Sequence, residues 1–289
     1  MGAHAQRRRG GGGRTMSAGR YGGVRVLIPT GFGLNCEAET AHAFRALGAE
    51  PDLVHWTDLF AHRHGRRLAD YDVLVFVGGF SYGDHIAGGL VLATRIRARL
   101  LDDLRAFLDR GGYALGICNG FQTLLRLGLL PGPDAPPHDF EPRADLAPND
   151  RLGYRDAWVT LRVEPDTRCA WLRGIDRLEV PSRHGEGRFV VADDAELERL
   201  ERRGAVVLRY VGPDGEPTEA WPHNPNGSRR GVAGITDATG RILGLMPHPD
   251  AFLHPWHHPR ALVSDAPEDE FSRTGLAVFR AGLEAAASR

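Results

Sequence analysis

A single cysteine stands between two glycines in the stretch YALGICNGFQTLL, from Tyr113 to Leu125. The pattern Gly116-x-Cys118-x-Gly120 follows an apolar run and precedes an amphipathic one, as expected for a nucleophile on a sharp strand-to-helix turn. The strained turn needs glycines because neighbouring chain comes too close for β-carbons, and the helix N-terminus favours the thiolate. A buried core cysteine is the alternative. The position of Cys118 at the carboxyl end of a central strand favours its interpretation as a nucleophile over that as a core residue.

A thiolate that attacks an amide needs a proton shuttle, usually a histidine oriented by an acid. Among thirteen histidines, His248 stands out because it follows the apolar run RILGLMP and lies between two prolines. Asp250 stands two residues further on, where a tight turn would let it orient the imidazole. The histidines of HPWHHP, residues 254–259, have no carboxylate or cysteine to complete a metal site, so a surface loop and no bound metal are predicted there.

A glycine-rich segment, FVGGFSYGD from Phe76 to Asp84, ends another apolar run. Adjacent glycines can present backbone N–H groups to a developing oxyanion, together with the amide of Asn119 after the nucleophile. A phosphate-binding loop is the usual rival. The segment carries neither a Walker lysine nor a GxGxxG motif, so the oxyanion role is preferred.

Short β-branched runs alternate with amphipathic stretches from Val24 to Leu130. This alternation predicts an α/β fold with a mostly parallel central sheet flanked by helices. After residue 150, strand-like runs separated by turn signals predict a small antiparallel portion. They include a hairpin turned at DATG, residues 237–240, and a helix over 269–288 closes the chain.

The chain organisation predicts one domain over residues 24–289, with a proline- and acid-rich loop insertion near 131–150. Residues 1–23 carry five arginines and no acids, and this Gly/Arg-rich tail is predicted to be disordered. The whole chain has net charge −1 and the tail +5, so the remainder carries −6, which argues against nucleic acid as a partner.

Three cysteines without a CxxC pair indicate free thiols in a reducing cytoplasm. No apolar run approaches the ~18 residues of a membrane span, so no membrane partner is expected.

The motifs together resemble those of the class I (triad) glutamine amidotransferases, and within them the glutaminase subunit of phosphoribosylformylglycinamidine synthase. The resemblance covers residues 24–285. The stretches that carry it are GLNCEAET, GGFSYGD, GICNGFQ, HGEGRF, NPNGS and MPHPD. It implies that the chain hydrolyses L-glutamine and supplies ammonia for purine biosynthesis.

Carried over by position, the resemblance makes Cys118 the nucleophile, His248 the base and Asp250 the orienting acid. Gly79 and Asn119 would form the oxyanion hole through their backbone amides. The implied substrate-binding residues are Gln122, which would hold the α-groups of glutamine, Phe80, His184, Glu186 and Asn226. The motifs HGEGRF and NPNGS would line the glutamine pocket or the docking face, and both could also simply be tight turns.

One position departs from the family pattern. The usual acid is glutamate in His-Pro-Glu, whereas this chain has His-Pro-Asp. Asp250 is one methylene shorter, so its reach to the imidazole decides whether full activity is expected.

The resemblance also implies partners. The chain has no candidate ATP-binding element and needs no cofactor of its own, so ATP and magnesium would be used by a separate large synthase subunit, with a small bridging subunit in many organisms. The initial Met and the length favour a separate subunit over an excised domain.

Two other functions stay open. A different elbow-cysteine hydrolase, similar to an intracellular peptidase, would need no partner and show no glutamine preference. A non-catalytic assembly subunit would bind the synthase without hydrolysing glutamine.

Overall fold

The computed structural model describes residues 20–261 and 274–289, and within them the chain forms eleven strands and six α-helices. The strands are β1 Val26–Thr30, β2 Asp52–His55, β3 Val73–Phe76, β4 Tyr113–Ile117, β5 Ala144–Pro148, β6 Arg155–Val163, β7 Arg177–His184, β8 Glu186–Val191, β9 Val206–Tyr210, β10 Val232–Thr236 and β11 Ile242–Leu245. The helices are α1 Glu37–Ala46, α2 Trp56–Phe60, α3 Leu90–Asp109, α4 Asn119–Arg126, α5 Asp194–Arg202 and α6 Leu276–Ala287.

Nine strands form one sheet in the order β2-β1-β3-β4-β11-β10-β9-β6-β7. Strands β2, β1, β3, β4 and β11 pair in parallel, while the pairs from β11 through β10, β9, β6 and β7 are antiparallel. Strands β3 and β11 are buried along their whole length, as a parallel strand covered on both faces requires. The predicted α/β class, with its parallel sheet and antiparallel portion, is confirmed.

Three neighbouring strands end together at one edge of the sheet. Gly116 of β4 lies beside Phe76 of β3 on one side and Gly244 of β11 on the other. The segments that follow these strands therefore emerge side by side, and they carry the glycine-rich segment after β3, Cys118 after β4 and His248 after β11. Residues far apart in sequence meet here because parallel strands expose their carboxyl ends at the same edge.

Most of the predicted strands and helices among the described residues are confirmed, including the hairpin of β10 and β11 around residues 237–240. Two helices escaped prediction. Helix α5 is mostly charged and buries only Leu197 and Leu200, so its apolar periodicity is weak, although Asp193 caps it by accepting a hydrogen bond from the Glu196 amide. The short helix α2 begins at Trp56, directly after β2.

The predicted loop insertion at 131–150 is wrong for its last part. Residues Ala144–Pro148 form β5, which pairs antiparallel with β8 in a separate two-stranded sheet. The prolines and acids of this segment masked a strand whose partner lies some forty residues further along the chain. Pairing of that kind is set by tertiary contacts rather than by local propensity.

The predicted disordered tail, residues 1–23, extends too far. Tyr21 is buried, and its hydroxyl donates a hydrogen bond to Glu284 Oε1 in α6, so the end of the tail is anchored to the body of the protein through this side chain. Burial and the Glu284 carboxylate raise the pKa of the Tyr21 phenol. Residues 1–19, and the start of the helix predicted over 269–288, lie outside the described residues.

No helix among the described residues is long and apolar enough to cross a lipid bilayer.

We expect Gly120→Ala to lower the free energy of unfolding by about 3 kcal/mol, because overpacking against rigid backbone costs this much. A β-carbon at Gly120 would lie 1.9 Å from the carbonyl oxygen of Phe76. Gly23→Ala is the matched control, since nothing lies within 4 Å of its β-carbon position. Urea denaturation of both variants checks the prediction, and equal midpoints would contradict it.

Candidate active site

Cys118 lies in a strained turn between β4 and α4. Its φ of 52° and ψ of −108° are a rare combination for a residue with a side chain. Its backbone N–H donates to the Leu245 carbonyl at 2.9 Å, and its carbonyl accepts from the backbone N–H of Gln122 at 3.1 Å. The turn is thus fixed both to β11 and to the first turn of α4. The residue is 7% exposed, so the thiol reaches a cavity without lying on the surface.

His248 is buried, and its backbone position is fixed. Its backbone N–H donates to the Pro181 carbonyl at 2.7 Å, and Pro249, the next residue, begins a single helical turn. The ring Nδ1 lies 3.2 Å from Asp250 Oδ1. The shorter aspartate therefore reaches the imidazole, which the sequence had left open.

Asp250 is in turn held by Thr40 of α1. The Thr40 hydroxyl donates to Asp250 Oδ2 at 3.2 Å, and both side chains are buried. One carboxylate oxygen thus faces the imidazole and the other accepts from a neutral donor. Because both oxygens are engaged, the carboxylate has a fixed orientation toward the ring.

The remaining ring nitrogen of His248, Nε2, faces thiols. It is buried and makes no hydrogen bond within the described residues. Burial opposes ionisation of the ring, but Asp250 and the nearby thiols of Cys118 and Cys36 outweigh it and raise the pKa of His248 well above its usual value. The ring is therefore suited to carry a proton beside the sulfur of Cys118.

The oxyanion-hole candidates flank the thiol. Gly79 has φ +136° and pairs with Leu34 in an isolated bridge whose two hydrogen bonds use the N–H groups of Asn35 and Phe80. The N–H of Gly79 itself stays outside that pairing, and a β-carbon there would lie 2.7 Å from Leu34 Cα. Only glycine fits this approach.

Asn119 is the first residue of α4, so its backbone N–H has no partner within the helix. Its side chain is fully buried and donates to Asp84 Oδ1 at 3.0 Å and to Gln122 Oε1 at 2.9 Å. Burial and the nearby Glu186 raise the pKa of Asp84 to about 6. The Asp84 end of the glycine-rich segment is thereby tied to the start of α4.

A cavity of about 250 Å³ opens over these groups. It is lined by Asn35, Cys36, Glu39, Gly79, Phe80, Cys118, Tyr154, Arg183 and His248. Its walls thus offer one carboxylate, Glu39, and one guanidinium, Arg183. Four of the predicted site residues, Gly79, Phe80, Cys118 and His248, meet in this one cavity.

Gln122 does not line the cavity in this structure. Its amide Nε2 donates to the Glu186 carbonyl at 2.8 Å, and its Oε1 accepts from Asn119, so protein groups occupy both ends. Gly88 packs directly on it, since a β-carbon there would lie 2.4 Å from Gln122 Oε1. That Gln122 contacts the α-ammonium and α-carboxylate groups of the substrate glutamine stays a prediction.

Glu186 also lies behind the cavity wall. Its Oε1 accepts from Arg126 Nη2 at 2.8 Å and from the Gly88 amide at 3.2 Å. Arg126 bridges it to Asp145 in β5. The ion pairs join α4 to the small sheet of β5 and β8.

His184 and Asn226 form a buried network between the HGEGRF and NPNGS motifs. Asn226 Nδ2 donates to His184 Nε2 at 3.1 Å, so Nε2 is an acceptor and Nδ1–H faces Ser182 Oγ at 3.2 Å. Burial lowers the pKa of His184 to about 3, so the ring is neutral. The carbonyl of Arg183, just before His184, lies 3.7 Å from Cys118 Sγ. The network therefore supports the wall that faces the nucleophile.

Sequence reasoning missed several residues that line the cavity, and Thr40, which supports Asp250. Cys36, Glu39 and Thr40 belong to the GLNCEAET stretch, which carries part of the family resemblance but predicts no role for them. Arg183 directly precedes the HGEGRF motif. Tyr154 lies in a segment without any motif. Only proximity in the folded chain identifies it, through its ring 6.3 Å from that of Phe80.

The protein-family model of the CobB/CobQ-like glutamine amidotransferase domain matches residues 23–284 of the sequence. The chain therefore belongs to the glutamine amidotransferases. It is 40% identical to the phosphoribosylformylglycinamidine synthase subunit PurQ of Methanococcus maripaludis, over 90% of this chain and 96% of that protein. It is 38% identical to the same subunit of Dehalococcoides mccartyi, over 82% and 89% of the two chains. Within the amidotransferases, the chain is a member of the PurQ family of purine biosynthesis.

A solved structure supports the same assignment. PurLQS from Thermotoga maritima contains a chain that superposes with a TM-score of 0.64 at 28% identity, covering 91% of this chain and 98% of that one. A second solved chain, from a GMP synthase of Thermoplasma acidophilum, shares the fold, with a TM-score of 0.51 at 14% identity over 92% of this chain and 94% of that one.

We expect Thr40→Val to lower the free energy of unfolding by about 1–3 kcal/mol, because a buried carboxylate oxygen loses its hydrogen-bond donor. Valine keeps the shape of threonine, so packing is little changed. Thr94→Val is the control, because its hydroxyl donates only to the Leu90 carbonyl on an exposed helix face. Equal stability losses in both variants, measured by urea denaturation, would contradict the role of Thr40.

Proposed function

We propose that the chain hydrolyses L-glutamine through Cys118, His248 and Asp250 and delivers the ammonia to a separate synthase subunit. One observation carries the proposal. A single buried imidazole has its Nδ1 against a carboxylate and lies beside the thiol at a strained strand-to-helix turn. Nucleophile, proton shuttle and orienting acid are the three parts that amide transfer to a thiol requires.

In the first step the sulfur of Cys118 attacks the side-chain carbonyl carbon of glutamine. The His248 imidazolium donates its Nε2 proton to the departing nitrogen, and ammonia leaves as a γ-glutamyl thioester forms. His248, now neutral, takes a proton from water, which attacks the thioester and releases glutamate. The raised pKa of His248 keeps the ring protonated before the attack, so that a proton is present on it for the leaving group.

The tetrahedral intermediate of each step carries an oxyanion. We assign the backbone N–H groups of Gly79 and Asn119 as its donors. Gly79 lines the cavity with its N–H outside the Leu34 bridge, and Asn119 begins α4, where the helix dipole adds positive charge. Loss of one such donor typically costs roughly 100-fold or more in turnover.

Recognition of free glutamine requires groups for its α-ammonium and its α-carboxylate. Glu39 and Arg183 lie on the cavity wall with the matching charges. We assign Phe80 to direct contact with the substrate and Gln122, His184, Glu186 and Asn226 to the support of the wall. Gln122 contacts substrate only if its amide leaves the Glu186 carbonyl.

The partner is proposed to be the large synthase subunit, together with a small bridging subunit. The similar chain from Thermotoga maritima comes from a structure named PurLQS. Apolar side chains beside the cavity are exposed here, with Phe80 at 45% and Tyr154 at 53%. Leu152 and Ile86, near these residues in the sequence, are also exposed, at 89% and 90%. A partner would cover these side chains. ATP and magnesium would be used by that partner, in the cytoplasm.

A paired glutaminase assay tests the proposal. Wild-type chain mixed with the large subunit, ATP and the formylglycinamide ribonucleotide should release glutamate at a higher rate than the chain alone. Cys118→Ala should reduce the rate at least about 1,000-fold, because the covalent route is removed. Cys169→Ala is the matched control. This thiol is fully buried away from the cavity, with a pKa raised to about 12 by burial.

The alternatives give different results in this assay. Turnover that needs neither partner nor ribonucleotide, and that accepts other amides equally well, would favour a general hydrolase. Complex formation with synthesis supported only by added ammonia would favour an assembly subunit. Equal activity of Cys118→Ala and wild type would exclude Cys118 as the nucleophile.

Asp250→Asn tests the orienting acid. If the amide oxygen takes the Thr40 proton, the NH₂ group faces His248 Nδ1 and stabilises the tautomer with a proton on Nε2, which cannot act as a base. We expect kcat to fall by roughly 100-fold, with little change in KM. Asp156→Asn is the control, because it removes a nearby exposed charge without a contact to the imidazole. Unchanged turnover in Asp250→Asn would refute the assignment.

A further inference from the structure

The two proposed donors of the oxyanion hole belong to different elements of the fold. The N–H of Gly79 lies in the segment after β3, whereas that of Asn119 begins α4. Both N–H groups can stabilise one oxyanion only if their spacing is kept, because a displacement of about 1 Å can cost roughly 100-fold in rate. The contacts that hold the glycine-rich segment against α4 therefore matter for the reaction.

The side chain of Asn119 makes such contacts. The backbone N–H of Ser81, two residues beyond Gly79, donates to Asn119 Oδ1 at 3.4 Å. Asn119 Nδ2 donates to Asp84 Oδ1 at 3.0 Å and to Gln122 Oε1 at 2.9 Å. The amide is fully buried, and each of its polar atoms has a partner. One residue thus supplies an oxyanion donor from its backbone and holds the opposite segment with its side chain.

Asp84 determines the orientation of the Asn119 amide. A carboxylate oxygen only accepts hydrogen bonds, so it selects the NH₂ group of Asn119 and leaves the amide oxygen to the Ser81 N–H. If the carboxylate were absent, the NH₂ group would lose an acceptor, and the buried amide would gain by turning toward another one. The Ser81 N–H would then lose its partner, and the glycine-rich segment would lose this attachment to α4.

The conformation and the charge of Asp84 are both unfavourable by themselves. Tyr82 and Asp84 have φ of 55° and 52°, in the left-handed region that residues with side chains rarely adopt. Burial and the Glu186 carboxylate raise the pKa of Asp84 to about 6, although Asn119 and Arg126 favour its charged form. Among the described residues its carboxylate makes no ion pair. Strain of this kind is concentrated at functional sites, where surrounding contacts sustain it.

We propose that Asp84 is a positioning residue of the oxyanion hole. By holding the Asn119 side chain, its carboxylate fixes the glycine-rich segment against α4, and with it the spacing between the N–H groups of Gly79 and Asn119. This role rests on the proposed glutaminase function and adds a residue to it. Asp84 is not among the residues that line the cavity. Its loss should therefore weaken stabilisation of the transition state and leave the binding of glutamine unchanged.

Steady-state glutaminase kinetics of the chain with saturating large subunit, ATP and the ribonucleotide test this role. Asp84→Gly removes the carboxylate, and glycine adopts the left-handed backbone without strain. We expect kcat to fall at least about 10-fold and KM to change less than about 2-fold, because the donors act on the oxyanion. Asp84→Asn keeps an acceptor oxygen for Asn119 and tolerates positive φ, so its kcat should stay within about 3-fold of the wild type.

His85→Gly is the matched control for backbone freedom in this segment. Its exposed side chain makes no hydrogen bond, ion pair or ring contact with the described residues, so its kcat should equal that of the wild type. Alkylation of Cys118 by iodoacetamide, followed by mass spectrometry of its peptide, uses the thiolate but no oxyanion hole. The alkylation rate in Asp84→Gly should therefore match the wild type. Slower alkylation would show that the nucleophile itself has moved and would overturn the proposal.

A double-mutant cycle tests whether Asp84 acts through Asn119. Asn119→Ala removes the side chain and keeps the backbone N–H, so kcat should fall by a factor similar to that of Asp84→Gly. The double variant should be within about 3-fold of the slower single variant, because both changes break the same contact. Losses that multiply would show that the two residues act independently and would contradict the role of Asp84.

The two ways in which the proposal can fail are distinguishable. If the wild type hydrolyses glutamine and Asp84→Gly has the same kcat, the positioning role is wrong and the proposed function stands. If the wild type is inactive with the large subunit, ATP and the ribonucleotide present, the proposed function is refuted, and the positioning role with it. Urea denaturation of each variant checks that a lower kcat does not come from unfolded protein.

Discussion

The site depends on the close approach of helix α4 to the end of strand β3. Gly120 leaves its β-carbon position 1.9 Å from the Phe76 carbonyl, a distance that no other residue could accept without moving backbone. This contact sets the direction in which α4 leaves the sheet, and thereby the unusual φ and ψ of Cys118. The strain at Cys118 is sustained because β11 on one side and α4 on the other fix the turn through hydrogen bonds.

A close approach also explains how Asp250 can stand in the place of the glutamate that the family resemblance leads us to expect. A shorter side chain must approach the imidazole more closely, and Asp250 does so within the single helical turn that follows His248. The hydroxyl of Thr40 then holds the second carboxylate oxygen from the opposite side. Orientation of the imidazole therefore depends on α1 as well as on the segment after β11, and the pair of His248 and Asp250 is supported by two separate parts of the chain.

The sequence predicted the groups that are local to a motif and missed those that meet only in the fold. The elbow at Cys118 and the glycine-rich segment could be identified because each is a strand-end signal within a few residues. Cys36, Arg183 and Tyr154 could not, because their proximity to His248 or Cys118 comes from strand order and crossing loops. Likewise, β5 was missed because its partner β8 lies far along the chain, whereas the hairpin of β10 and β11 was predicted from its local turn signal at residues 237–240.

The motifs HGEGRF and NPNGS show why a family signature need not contact substrate. His184 and Asn226 are almost fully buried, and their hydrogen bonds are made to each other and to Ser182, Tyr210 and Ser228. A neutral histidine with both ring nitrogens occupied tolerates few replacements, since any of them would leave a buried polar group without a partner. The network fixes the course of β7, and β7 carries the Arg183 carbonyl that faces Cys118. These residues are thus constrained by the shape of the cavity wall, even though substrate need not touch them.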